Sequence, residues 1–241
     1  MTAMREAETR EVVSPPPDAA RPDLARRALM EGIGAFAIVV AGCGAVVADA
    51  TSGGSLGAVG VSLVFGLIVM VMIYAGGHLS GAHYNPGVTV AFALARHFPP
   101  REAVAYVGAQ LLGGVAGALL LLAAWPDAPG DLGATVPSVG LGAALLYEVV
   151  LTAFLMFVIT AVATDTRAVG AAAAIAIGGT VALDALFGGP VTGASMNPAR
   201  SFGPALAAGQ WTDFWVYVVG PLAGAAIGVF GYGLVRGARH V

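Results

Sequence analysis

Six apolar runs of about twenty residues, roughly 28–48, 58–78, 102–124, 139–163, 168–187 and 214–235, constrain this chain more than anything else in it. About 20 mostly apolar residues are needed to cross a bilayer as a helix. Each run therefore reads as a transmembrane helix, and the fold class as an all-α membrane protein. Composition agrees. The chain is 58% hydrophobic and 10% charged, where a soluble domain has about 25% charged residues. Its 35 glycines suit helices that pack closely in lipid. The single cysteine, Cys43, excludes an intrachain disulfide and reads as an inert core residue, or a mercury-sensitive thiol if it faces a lumen. Residues 1–25 are charged and proline-rich, lack the apolar core of a signal peptide, and read as a disordered cytoplasmic tail.

The remainder, about 26–238, repeats: about 26–124 resembles about 139–238. At an offset of 112, Ser80-Gly81-Ala82 falls on Thr192-Gly193-Ala194 and Asn85-Pro86 on Asn197-Pro198. At 111, Tyr106, Gly113 and Gly117 fall on Tyr217, Gly224 and Gly228; at 117, Glu31 falls on Glu148. Each half holds three spans, so the second enters the membrane upside down, an inverted repeat. All the basic residues are arginines. Ten of the eleven fall on one side of a six-span arrangement, which places both termini in the cytoplasm. Arg200 is the exception, lying three residues beyond Asn197, and it asks for a functional reason.

Two apolar pieces, about 86–95 and 198–208, are too short to cross, and each begins at Asn-Pro. A helix of about 11 residues rises only about 16 Å. Asn is a favoured N-cap and Pro suits the first helical position. An isolated Asn-Pro marks a turn. A repeat-related pair inside apolar sequence reads instead as the starts of two re-entrant half-helices. An inverted repeat brings them in from opposite faces, so two positive dipole ends meet near the midplane. The Asn85 and Asn197 amides would donate into a lumen there, with carbonyls of extended stretches 78–84 and 190–196 as acceptors. Such a lumen suits small neutral solutes and repels cations, and Arg200 adds a fixed charge nearer the outer mouth.

With the stretches "FGLIVMVMIYAGGHLSGAHYNPGVT" and "GPVTGASMNPARSFGPAL", the chain resembles the aquaporin, or major intrinsic protein, family over about 26–238. The resemblance implies a right-handed bundle of six helices and two half-helices, one pore per subunit, and a homotetramer in the cell membrane. It implies no enzyme activity, cofactor, metal site or nucleic-acid partner. Its two central motifs fall on Asn85, Pro86, Gly87 and on Asn197, Pro198, Ala199. Its outer constriction, or filter, falls on Phe65, Ala185, Ala194 and Arg200. Water-selective members generally carry His where this chain has Ala185. Glycerol-passing members often have Asp where Ser201 stands. Tyr217-Val218 and "LFGGPVTGASMNPARS" are similar to the nodulin-26-like plant group and its bacterial relatives, which implies water, glycerol and neutral metalloid acids such as arsenite or boric acid. A strictly water-selective channel is the alternative, and an ion-coupled transporter a remoter one.

Several residues carry two readings. Glu31 and Glu148 are buried acceptors bracing the re-entrant loops, or else proton carriers. His83 packs and bonds the first loop, with pH gating as the alternative, and His78 reads as a pore or loop residue near the cytoplasmic mouth. Asp184 reads as a helix-end acid facing outside solvent or a neighbouring subunit, or as an acid tuning the filter. Gly87, where the second motif has Ala199, is a tolerated packing variant or the mark of a roomier pore centre, at about 0.5–1 kcal/mol of helix stability.

Overall fold

A computed structural model describes residues 22–165, 168 and 170–237. The tail assigned to residues 1–25 lies almost wholly outside that range, as do Arg167 and Arg239. Among the described residues, six helices are long and apolar enough to cross a membrane: span one Leu24–Thr51, span two Gly57–Ser80, span three Pro100–Ala124, span four Leu141–Thr164, span five Ala173–Thr192 and span six Val216–Arg236. Two short helices, Pro86–Leu94 and Pro198–Ala208, are the half-helices. The described residues contain no strand.

The chain packs as the repeat requires. Span one lies along span three, span four along span six, and span two crosses to span five, joining the two halves. Small residues permit these approaches, because packing rather than the hydrophobic effect holds helices together in lipid. A β-carbon on Gly113 would run into the Gly32 carbonyl, and one on Gly117 would lie 2.9 Å from the Phe36 carbonyl. In the second half a β-carbon on Gly224 would run into the Val149 carbonyl, and one on Gly228 would lie 2.5 Å from that of Ala153. Spans two and five touch through Gly66 and Gly178, each pressed on the other's carbonyl.

Three features depart from the sequence reading. Spans two and five do not stop near residues 78 and 187 but continue to Ser80 and Thr192, so only 81–85 and 193–197 are non-helical. Both helices end on a left-handed glycine, Gly81 at φ 95° and Gly193 at φ 84°, a common C-terminal signal. Span five passes through Pro190 two residues before its end, and Ser138 serves the carbonyls of its last turn. The Ser138 hydroxyl donates to the Pro190 and Val191 carbonyls at 2.8 and 3.0 Å. Span one contains a π-helical turn, Val39–Cys43, that periodicity did not foreshadow; such bulges often mark functional segments. Asp184 is not a helix-end acid. Span five runs eight residues beyond it, it has no exposed surface, and neither carboxyl oxygen has a partner among the described residues.

Candidate functional site

The two re-entrant loops are built on one plan. Positive φ recurs at Gly81, Ala82 and Tyr84, and at Gly193, Ala194 and Met196. Non-glycine residues in that region cost about 1–3 kcal/mol each and persist only where their surroundings over-determine them. The buried glutamates do that. Glu31 Oε1 accepts from the Ser80 hydroxyl at 2.6 Å and the His83 amide at 3.0 Å. Its Oε2 accepts from the Tyr84 amide at 2.6 Å and the Gln110 side chain at 2.8 Å. Glu148 Oε1 accepts from the Thr192 hydroxyl and the Ser195 amide at 2.7 and 2.9 Å, and its Oε2 from the Met196 amide at 2.9 Å. Tyr106 and Tyr217 close each plan, donating to the Ser80 and Thr192 carbonyls at 2.7 Å.

At the centre each asparagine has two tasks. Asn85 Oδ1 caps its half-helix by accepting from the Gly87 amide at 2.8 Å; Asn197 Oδ1 accepts from the Ala199 and Arg200 amides at 3.0 and 3.3 Å. The amide nitrogens then reach across the repeat. Asn85 Nδ2 donates to the Met196 carbonyl at 2.7 Å and Asn197 Nδ2 to the Tyr84 carbonyl at 2.9 Å. An amide carries two N–H groups, so one on each side chain is left for the lumen. Pro86 and Pro198 stand at the first helical position.

A cavity of about 230 Å³ runs past both asparagines, with largely apolar walls that include Val69, Ile73, Leu155 and Val181. A second, of about 340 Å³, opens beyond it toward Asp49 and Pro190. Phe65, Ala185 and Arg200 line both, so the two meet at these residues, and Ala194 faces the first. The Arg200 guanidinium lies 4.8 Å from the Phe65 ring centroid and donates to the Gly133 carbonyl at 2.7 Å. His83 lines the first cavity. Its ring lies 3.1 Å from the Thr89 hydroxyl and packs on Phe92, Phe98 and Tyr106. His78 is exposed at the end of span two and does not line the cavity. Cys43 is buried in the π turn, also off the lining.

Sequence reasoning missed Gln110, which joins Glu31 to the Thr89 hydroxyl at 2.9 Å. The one signal was an amide inside an apolar run. It also missed the hydroxyls of Thr135, Ser201 and Ser195, linked at 2.8 and 2.6 Å. Gly87 has a tight setting. A β-carbon there would lie 3.2 Å from Asn85 Oδ1 and 3.3 Å from the Pro221 carbonyl of span six. Gly87→Ala is therefore expected to be no more stable than the parent in a thermal melt, although alanine favours a helix by about 1 kcal/mol. A gain of that full amount would show that span six yields freely.

Comparison with known proteins agrees with this architecture. The family description "Major intrinsic protein" matches residues 18–232. Aquaporin NIP1-1 of Zea mays is 47% identical over 211 residues, 88% of this chain and 75% of that one. Aquaporin NIP3-1 of Arabidopsis thaliana is 48% identical over 216 residues, 87% of this chain and 67% of that one. Among solved structures, the aquaglyceroporin from Plasmodium falciparum superposes with a TM-score of 0.79 at 27% identity, over 89% of this chain and 97% of that one. A matched family description covering six spans, two capped half-helices and the pore between them leaves one conclusion: the chain belongs to the major intrinsic protein family.

Proposed function

We propose that the protein is a passive channel for water and small uncharged solutes, glycerol among them, formed by the domain from about residue 26 to 238. The observation that carries the reading is the pair of cavities meeting at Phe65, Ala185 and Arg200 beside two cross-bonded asparagines. Apolar walls with a few fixed donors desolvate a neutral solute at little cost, and Arg200 and two half-helix N-termini oppose cations. The aquaglyceroporin neighbour supports glycerol, and the methyl-sized Ala185 and Ala194 support solutes wider than water, with neutral metalloid acids in the same size class. The arginine distribution supports cytoplasmic termini in a cell membrane, and the family supports a homotetramer. Both glutamates are occupied by loop donors, which favours bracing over proton carriage.

Reconstituted vesicles in a stopped-flow assay test the reading: osmotic water and glycerol permeabilities both above protein-free vesicles are expected, and neither above them sinks it. Ala185→His is expected to lower the glycerol-to-water ratio about tenfold or more, since one added group in a close-fitting passage discriminates on that scale. An unchanged ratio removes Ala185 from the filter.

A further inference from the structure

Asp184 is a buried acid for which the channel reading has no task. It has no exposed surface, and among the described residues it is the one buried carboxyl with neither oxygen partnered. Buried polar groups nearly always have a hydrogen-bond partner, so an orphaned one asks what it holds. Asp184 adjoins Ala185 in the chain, yet Ala185 lines both cavities and Asp184 lines neither. Its carboxyl therefore lies behind the wall of the lumen. Gly188, four residues on, shares its helix face. A β-carbon on Gly188 would lie 2.6 Å from Leu151 Cδ1 and 3.4 Å from Ala194 Cβ. Asp184 thus sits in the wedge between span five, span four and the second re-entrant loop.

The donors of that wedge are taken. Glu148, three residues before Leu151 on span four, holds the Thr192 hydroxyl and the Ser195 and Met196 amides. Few charged or titratable groups face Asp184. Span four contributes Glu148, whose charge acts on it. The second half-helix contributes Arg200, which bonds the Gly133 carbonyl, and span six contributes Tyr217, which bonds the Thr192 carbonyl. Span two packs on span five through Gly66 and Met70 and carries no titratable residue along that stretch. A carboxylate buried without a donor costs far more than a neutral acid.

We propose that Asp184 is a proton-binding site that regulates the pore: it holds a proton while the channel conducts, and loss of that proton disorders the second re-entrant loop and lowers flux. The step is one O–H ionisation, with the proton leaving to water in the adjoining lumen. It makes Asp184 a second carboxylate beside Glu148. The two repel, and both compete for the same loop donors. Ala194 and Met196, left-handed and facing the cavity, depend on those donors. The packed arrangement is that of the neutral acid, so flux is full at low pH and falls as pH rises. The effect on flux rests on the channel reading; the proton itself does not.

Infrared spectroscopy of the purified protein reads the proton directly. A protonated-carboxyl C=O band is expected at neutral pH in the parent and not in Asp184→Asn. In reconstituted vesicles taken from about pH 5 to about pH 9, the range in which buried carboxyls titrate, parent water flux is expected to fall about fivefold, the scale of one displaced hydrogen bond. Asp184→Asn, which stands in for the neutral acid, is expected to hold its low-pH flux throughout. Should it fail to fold, Asp184→Leu, with no polar atom to ionise, decides in its place. The proposal is overturned if the parent lacks the band, if the band survives the substitution, if parent flux is flat with pH, or if the variant keeps the fall. Vesicles that pass neither water nor glycerol at any pH overturn the channel reading instead, and the infrared band then decides whether Asp184 holds a proton.

Discussion

Glu148→Ala is expected to abolish water and glycerol flux and to lower stability by about 3–9 kcal/mol, since each buried donor left unsatisfied costs about 1–3 kcal/mol. The substitution strands the Thr192 hydroxyl and the Ser195 and Met196 amides, all buried. It also frees the loop whose left-handed residues, Ala194 and Met196, line the cavity. Glu148→Gln keeps the volume but turns one acceptor into a donor facing a loop N–H, so an intermediate loss is expected. Thermal unfolding in detergent and vesicle flux check both. Parent-like flux through Glu148→Ala would remove the glutamate from the construction of the pore.

Arg200→Ala is the second large effect. It removes a whole positive charge and the guanidinium that stands over Phe65 at the junction of the cavities. Glycerol permeability relative to water is expected to rise about tenfold or more. Protons should gain less. Two helix N-termini, each equivalent to about half an elementary charge, still meet at the asparagines, so the barrier loses roughly half its charge rather than all of it. A pH-sensitive dye trapped in the vesicles gives the comparison. If proton leak rises more than glycerol flux, the cation barrier resides in Arg200 rather than at the centre.

Much of this was legible in the residues because it is local or repeated. The spans are set by length and apolarity, the half-helices by Asn-Pro at a repeat offset, and the two glutamates by equivalent places in the two halves. What the sequence hid depends on contacts between distant segments. Span five could not be seen to outlast Pro190, because the hydroxyl serving its last turn is Ser138, 52 residues earlier. Asp184 was read at a helix end for that reason, and its burial follows from the longer helix. The π turn at Val39–Cys43 has no composition of its own. It is identified by what it packs on, among them Gly133 and, through Gly42, the Phe65 ring.

The crossed asparagine bonds carry a consequence for synthesis. Asn85 finds its carbonyl at Met196, 111 residues later. At about 5–20 residues per second, that carbonyl leaves the ribosome on the order of 5–20 s after Asn85 does. For that interval the first half-helix has a start but no counterpart, and its amide must find another partner or remain near water. The first half of the chain is thus committed to the bilayer before its loop can settle, and a ribosome that stalls before residue 196 leaves behind a protein with spans but no closed centre.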